Sequence, residues 1–173
     1  MEKILVVVDM QNDFIDGALG TAEAVSILPR AIELVRSFDG EVVFTRDTHF
    51  EDYLESAEGK KLPVVHCIKD TDGWQISHEL DRERENRGAR VFDKVTFGSR
   101  ELADYISEQE GDIEEIVIIG ICTDICVISN AMLIKAAVPE IKITVDSSAC
   151  AGVTPDSHER ALEAMKMCQI DVI

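Results

Sequence analysis

A cysteine, two acids and a lysine carry the chemistry of this sequence. Cys126 lies in Glu-Ile-Val-Ile-Ile-Gly-Ile-Cys-Thr-Asp-Ile-Cys-Val-Ile-Ser-Asn-Ala (115–131). Ile116 to Ile119 is apolar and β-branched, the pattern of a strand buried on both faces of a parallel sheet. Gly120 ends that run, Thr123 and Asp124 suit helix caps, and the residues from Cys126 onward read as a helix. Cys126 is then expected in a helical first turn, where unpaired N–H groups and the helix dipole lower a thiol pKa. The plainer reading makes Cys122 and Cys126 two small buried hydrophobes. Asp9 closes the apolar run Ile-Leu-Val-Val-Val, Asp47 and His49 follow Val42-Val43-Phe44, and Lys94 lies in Val-Phe-Asp-Lys-Val (91–95). Singly, these have ordinary readings as turn acids and an edge-strand lysine facing water. Together they suit covalent hydrolysis: a thiol attacks an acyl carbon, a carboxylate relays its proton, and an ammonium lowers the pKa of both.

Such groups meet only if the intervening chain brings strand ends together. Apolar runs predict strands at residues 3–8, 41–45, 90–95, 116–119, 142–145 and, at an edge, 170–173. Helical spacing appears over 25–38, with Pro29 in the first turn, and over 99–110, behind Ser99 as cap. A helix is also expected from about 158 to 167, and a short one over Trp74 to Leu80. Arg82 to Arg87 reads as a solvated charge run. Residues 50–75 are irregular, with Val64 to Ile68 as a short extended piece; a loop this long is often functional. The alternation argues for an α/β fold: a doubly wound, mainly parallel six-stranded sheet with helices on both faces, forming a single domain over residues 1–173. Ligands bind such sheets beyond the carboxyl ends of the strands, where Asp9, Asp47, His49, Lys94 and Cys126 all fall. No Gly-x-Gly-x-x-Gly follows the first strand and there is no phosphate loop, so no nucleotide cofactor is expected.

Composition narrows the partners. A net charge of −17 disfavours nucleic acid and anionic membranes, and 46% apolar with 29% charged residues is ordinary for a globular protein. No apolar run approaches the ~20 residues of a membrane span. The N-terminus lacks the pattern of a signal peptide. Five cysteines without a Cys-x-x-Cys pair read as reduced and cytoplasmic. Cys67, Cys150 and Cys168 read as incidental, and His78 and His158 as surface residues.

Val-Val-Val-Asp-Met-Gln-Asn-Asp-Phe (6–14), Phe-Asp-Lys-Val-Thr-Phe-Gly-Ser (92–99) and Gly-Ile-Cys-Thr-Asp-Ile-Cys-Val (120–127) together resemble the three motifs of the isochorismatase-like cysteine hydrolases. The resemblance implies a triad of Asp9, Lys94 and Cys126. It also implies a cis peptide between Ile121 and Cys122, and an oxyanion hole from the backbone N–H groups of Cys122 and Cys126. Within that superfamily the nicotinamidase branch is the most similar. It implies a divalent metal, Zn with Fe or Mn as alternatives, on Asp47, His49 and His66, with Glu58 as a candidate added ligand. The metal would hold the pyridine nitrogen of a nicotinamide-like substrate, with Phe14 stacking on the ring. The implied reaction is nicotinamide to nicotinate and ammonia through a thioester, on a small-molecule substrate, in a homo-oligomer.

Two departures bear on the ring pocket. The second histidine that often follows Asp-x-His is replaced by Phe50, Asp52 and Tyr53. The aromatic common before the downstream histidine is replaced by Leu62-Pro63-Val64-Val65, and Trp74 lies on the wrong side of His66 to substitute for it. A metal-free hydrolase of another small amide, carbamoyl or ureido compound is therefore the second reading. A non-catalytic binding protein on the same fold is the third, and the retained Asp9, Lys94 and Cys126 argue against it.

Overall fold

The computed structural model describes residues 2–173. β1 (Glu2–Val8), β2 (Glu41–Asp47), β3 (Arg90–Lys94), β4 (Ile113–Ile121), β5 (Lys142–Ala151) and β6 (Asp171–Val172) form one sheet in the order β3-β2-β1-β4-β5-β6. Every pairing is parallel. The helices are α1 (Asn12–Ile15), α2 (Ala22–Ser37), α3 (Ala57–Lys61), α4 (His78–Arg87), α5 (Arg100–Ser107), α6 (Ile128–Ala137) and α7 (Pro155–Met167).

Strand alternation sends successive side chains to opposite faces. Ile4, Val6 and Val8 of β1 therefore join Ile116, Ile118, Leu102 and Ile106 of α5, Ala131 of α6 and Leu162 of α7 in one core. Leu5 and Val7 join Phe44, Ile15 of α1, Ile32 and Val35 of α2 and Leu80 of α4 in the other. Both faces are covered, which is why the strands read as continuous apolar runs rather than alternating ones. None of the helices among the described residues is long and apolar enough to cross a membrane.

Several boundaries differ from those expected. α2 begins at Ala22, capped by Thr21, so Pro29 lies inside the helix rather than in its first turn. Trp74 to Ile76 is not helical; the helix is α4, which includes the charge run at 82–87 and is fixed to the core through Leu80. β5 continues past Asp146 to Ala151 through an irregularity opposite Ile118 to Gly120.

Gly120 does not end β4, which runs on to Ile121. It lies at φ +126°, and a Cβ there would sit 2.1 Å from the Val8 carbonyl oxygen on β1. Glycine thus allows the two central strands to stay in register where their ends carry Asp9 and the Cys126 turn. Gly120→Ala is expected to lower the unfolding free energy by about 3 kcal/mol, seen as an earlier urea midpoint. A midpoint equal to wild type would show that the strands can separate at no cost.

Candidate active site

Asp9 sits at the end of β1, fully buried, in a left-handed backbone conformation (φ +47°) that turns the chain sharply out of the sheet. Thr45 on β2 donates its hydroxyl to Asp9 Oδ1 at 2.7 Å. Lys94, the last residue of β3, is only 4% exposed, which rules out an edge lysine in water. Its Nζ lies 2.6 Å from Asp9 Oδ2, 3.4 Å from Asp47 Oδ1 and 3.6 Å from Cys126 Sγ, and donates to the Thr96 carbonyl at 3.1 Å. Asp9 Oδ2 is thus in an ion pair with the ammonium while Oδ1 is held by Thr45.

Cys126 is not in the first turn of an α-helix. Thr123–Val127 is a π-helical turn, and α6 begins only at Ile128. Neither expected cap serves as one. Thr123 Oγ1 pairs with His158 Nδ1 at 2.7 Å, and the Asp124 carboxylate accepts the Val153 N–H at 3.2 Å. His158 is thus a half-buried partner of the turn rather than a surface residue. The Ile121–Cys122 peptide bond is cis.

The electrostatics differ from the sequence expectation. Burial, then the neighbouring Asp9 carboxylate, push the Cys126 thiol well above its ordinary value, with Lys94 opposing. Burial also raises Asp9 above the usual aspartate value against the pull of Lys94. Burial works against the charge on Lys94, but Asp9, Cys126 and Asp47 together raise its pKa, so it is an ammonium. At rest the site holds a protonated thiol beside a carboxylate that is a stronger base than a surface aspartate. Cys122 borders the same cavity, and its thiol is pushed up to about 12 by burial. Cys67 and Cys150 are buried, and Cys168 is exposed; all five cysteines are unpaired.

The second cluster follows β2. Gln11 clamps Asp47 as a neighbouring strand residue would: its Oε1 accepts the Asp47 N–H at 2.7 Å and its Nε2 donates to the Asp47 carbonyl at 2.8 Å. The extended piece before Ile68 lies beside His49, whose N–H donates to the Cys67 carbonyl at 2.9 Å and whose carbonyl accepts from Lys69 at 2.9 Å. Asp13 Oδ2 accepts the Cys67 N–H at 2.8 Å and anchors the same segment. These bonds set His66 beside His49. Tyr53 packs edge-on against both imidazoles, with ring centroids 4.7 and 5.0 Å away, and donates its hydroxyl to the Leu62 carbonyl.

Asp47, His49, Glu58 and His66 place one ligand atom each within 4.8 Å of one another. His49 Nε2 is 2.9 Å from Asp47 Oδ2 but not aligned to bond it, leaving a buried ring nitrogen without a hydrogen-bond partner. His66 Nδ1 is engaged by the Val64 carbonyl at 2.8 Å, which leaves Nε2 for the cluster. Glu58 Oε1 lies 3.7 Å from both imidazole Nε2 atoms. Asp9 and Asp47 flank the Lys94 ammonium, and Glu58 adds a third carboxylate beside the two imidazoles. That donor set and charge excess fit a divalent cation.

Both clusters open on one cavity of about 810 Å³. Phe14, Leu62, Phe97, Ile125, Cys122 and Cys126 are among its walls. Phe14 lies 5.5 Å from the His66 ring, centroid to centroid. Leu62 takes part where an aromatic was missed, and Phe97 supplies a second aromatic wall that the sequence reading did not single out. Trp74 is elsewhere: its Nε1 donates to Thr48 Oγ1, and the Arg46 guanidinium covers its ring at 3.4 Å.

The family model for the isochorismatase domain matches residues 3–173. The chain belongs to the isochorismatase family. The nicotinamidase/pyrazinamidase of Mycobacterium tuberculosis is 26% identical to it, over 99% of this chain and 98% of that protein. The crystal structure of the nicotinamidase/pyrazinamidase from Bacillus subtilis superposes with a TM-score of 0.86 at 27% identity, covering 99% of each chain. The pyrazinamidase of Pyrococcus horikoshii, solved in complex with zinc, superposes at 0.82 with 27% identity, over 100% of this chain and 99% of that one. On this family member's four-residue cluster, His66→Ala is expected to weaken divalent-metal binding at least ~100-fold, measured by zinc titration against a chromogenic chelator. Unchanged affinity would remove His66 from the ligand set.

Proposed function

We propose that the protein is a thiol amidohydrolase that converts nicotinamide to nicotinate and ammonia. The observation that carries this reading is Lys94. One buried ammonium touches the carboxylate of Asp9, the thiol of Cys126 and the carboxylate of Asp47, joining a nucleophile to a metal-ligand cluster within one cavity. The names of the Mycobacterium tuberculosis and Bacillus subtilis relatives point to the same substrate.

In this mechanism Asp9 takes the Cys126 proton as Sγ bonds to the amide carbon. Lys94 stabilises the charge pair that forms. The backbone N–H groups of Cys122 and Cys126 receive the oxyanion. Asp9 returns the proton to the amide nitrogen, the C–N bond breaks, ammonia leaves and a thioester remains. Water then gives its proton to Asp9 and attacks the thioester carbon. On collapse Asp9 gives that proton to the departing Sγ, restoring the thiol, and the acid loses its own proton, to the released ammonia or to solvent, and leaves as nicotinate. Asp47, His49, His66 and Glu58 would hold the divalent ion, zinc in this reading, which supplies a Lewis acid for the pyridine nitrogen. Phe14 and Phe97 flank the ring.

A second reading keeps the triad and changes the substrate to another small amide, carbamoyl or ureido compound. It is favoured by Leu62, an aliphatic wall where nicotinamidases commonly carry an aromatic. Ammonia release from nicotinamide by metal-analysed protein separates the two. Wild type is expected to release ammonia and Cys126→Ala to release none. Asp9→Asn and Lys94→Ala are expected to lower kcat by about 10³-fold or more. No ammonia from nicotinamide, with release from a ureide, would select the second reading.

A further inference from the structure

Asn130 is a buried amide, 1% exposed, on the first turn of α6. Its three polar contacts determine its orientation. Oδ1 accepts the Ser99 N–H at 2.9 Å. Nδ2 donates to the carbonyl of Cys126 at 2.8 Å and to the carbonyl of Phe97 at 3.3 Å. Ser99 offers only a donor there and the other two only acceptors, so a flipped amide would face like with like at all three positions.

The partners come from two segments that also meet at the Lys94–Cys126 contact. Cys126 is on the π-helical turn after β4. Phe97 and Ser99 are on the loop after β3, which starts at Lys94, passes Thr96, whose carbonyl holds the Lys94 ammonium, and lines the cavity through Val95, Thr96 and Phe97. The front of the turn is held by His158 and by the Val153 N–H, through Thr123 and Asp124. Its rear, where the thiol is, is held by Asn130.

We infer that Asn130 is a positioning residue for the amide hydrolysis. By bridging the Cys126 and Phe97 carbonyls it fixes the thiol relative to Lys94 and to the cavity wall. The inference rests on Cys126 being the nucleophile. An arrangement held by one buried amide is sensitive to it: a small displacement of a reacting atom is costly in rate, and an unpaired buried partner is costly in order.

Two variants separate the two halves of the amide. Asn130→Asp keeps the acceptor for Ser99 and removes both donors; Asn130→Ala removes all three bonds. Both are expected to lower kcat on nicotinamide about tenfold. KM is expected to rise less than kcat falls, because Phe14 and the metal-ligand cluster are untouched and only the Phe97 wall loses its tie. In hydrogen exchange of the metal-loaded protein, the Ile125 and Val127 amides, which donate to the Cys122 carbonyl, should exchange several-fold faster in both variants. The Ser99 amide should lose protection only in Asn130→Ala. Unchanged exchange in the 123–127 turn of Asn130→Asp would overturn the inference, as would an unchanged kcat with an altered turn. If wild type leaves nicotinamide intact, the substrate reading fails, and exchange in the turn still decides whether Asn130 holds it.

Discussion

The site depends on a lysine buried among acids. Taking an ammonium and a carboxylate out of water costs several kcal/mol per ion, recovered only where geometry is close and further partners remain. Lys94 meets that condition with Asp9 at 2.6 Å, Asp47 at 3.4 Å and the Thr96 carbonyl at 3.1 Å. Removing either end of the Lys94–Asp9 pair would leave an uncompensated charge in the core, so the pair ties catalytic competence to folding. Because Lys94 also reaches Asp47, any change in the charge of the metal-ligand cluster is felt at Asp9 and through it at the thiol.

The sheet explains why these groups meet. Its order, β3-β2-β1-β4-β5-β6, reverses direction between β1 and β4, the place where loops from adjacent strands diverge and leave a crevice. Asp9 leaves β1 on one side of that crevice and the Cys126 turn leaves β4 on the other. β2 and β3, next along the sheet, deliver Asp47 and Lys94 in register with each other. The close approach of Gly120 to Val8 fixes the spacing at the crevice itself. The outlying partner, His66, comes from an irregular loop, held by backbone bonds to His49, by Asp13 and by Tyr53.

Strand ends were legible because apolar β-branched runs stop where the polar residue begins; Asp9, Asp47 and Lys94 all sit where those runs ended. Local pattern could not show the π-helical turn at Cys126, since Thr123 and Asp124 look like caps until β5 and α7 offer them His158 and the Val153 N–H. Nor could it show His66, whose position is set by backbone bonds to His49 rather than by periodicity. It also placed α4 too early, because Leu80 is the lone buried residue in a highly charged helix and gives almost no amphipathic signal. Tyr53 and Asn130 were invisible for a related reason: each acts on loop residues that the fold rather than local periodicity brings to it, Tyr53 on His66 and the Leu62 carbonyl, Asn130 on Phe97 and Ser99.

The reversal at the thiol has a chemical logic. A cysteine with a permanently lowered pKa is a better nucleophile at rest, but also a better target for oxidation and for stray electrophiles. Here burial keeps Cys126 protonated, and Asp9, raised by the same burial, waits beside it, paired with Lys94. In the proposed mechanism the proton moves within the pair when an acyl carbon arrives, and Lys94 offsets the charge on whichever partner carries it. Thiolate character is then confined to the moment of attack, and it depends on the distances among three side chains rather than on a helix dipole. In such a site, what determines reactivity is how firmly the Cys126 turn is held against the Lys94 loop.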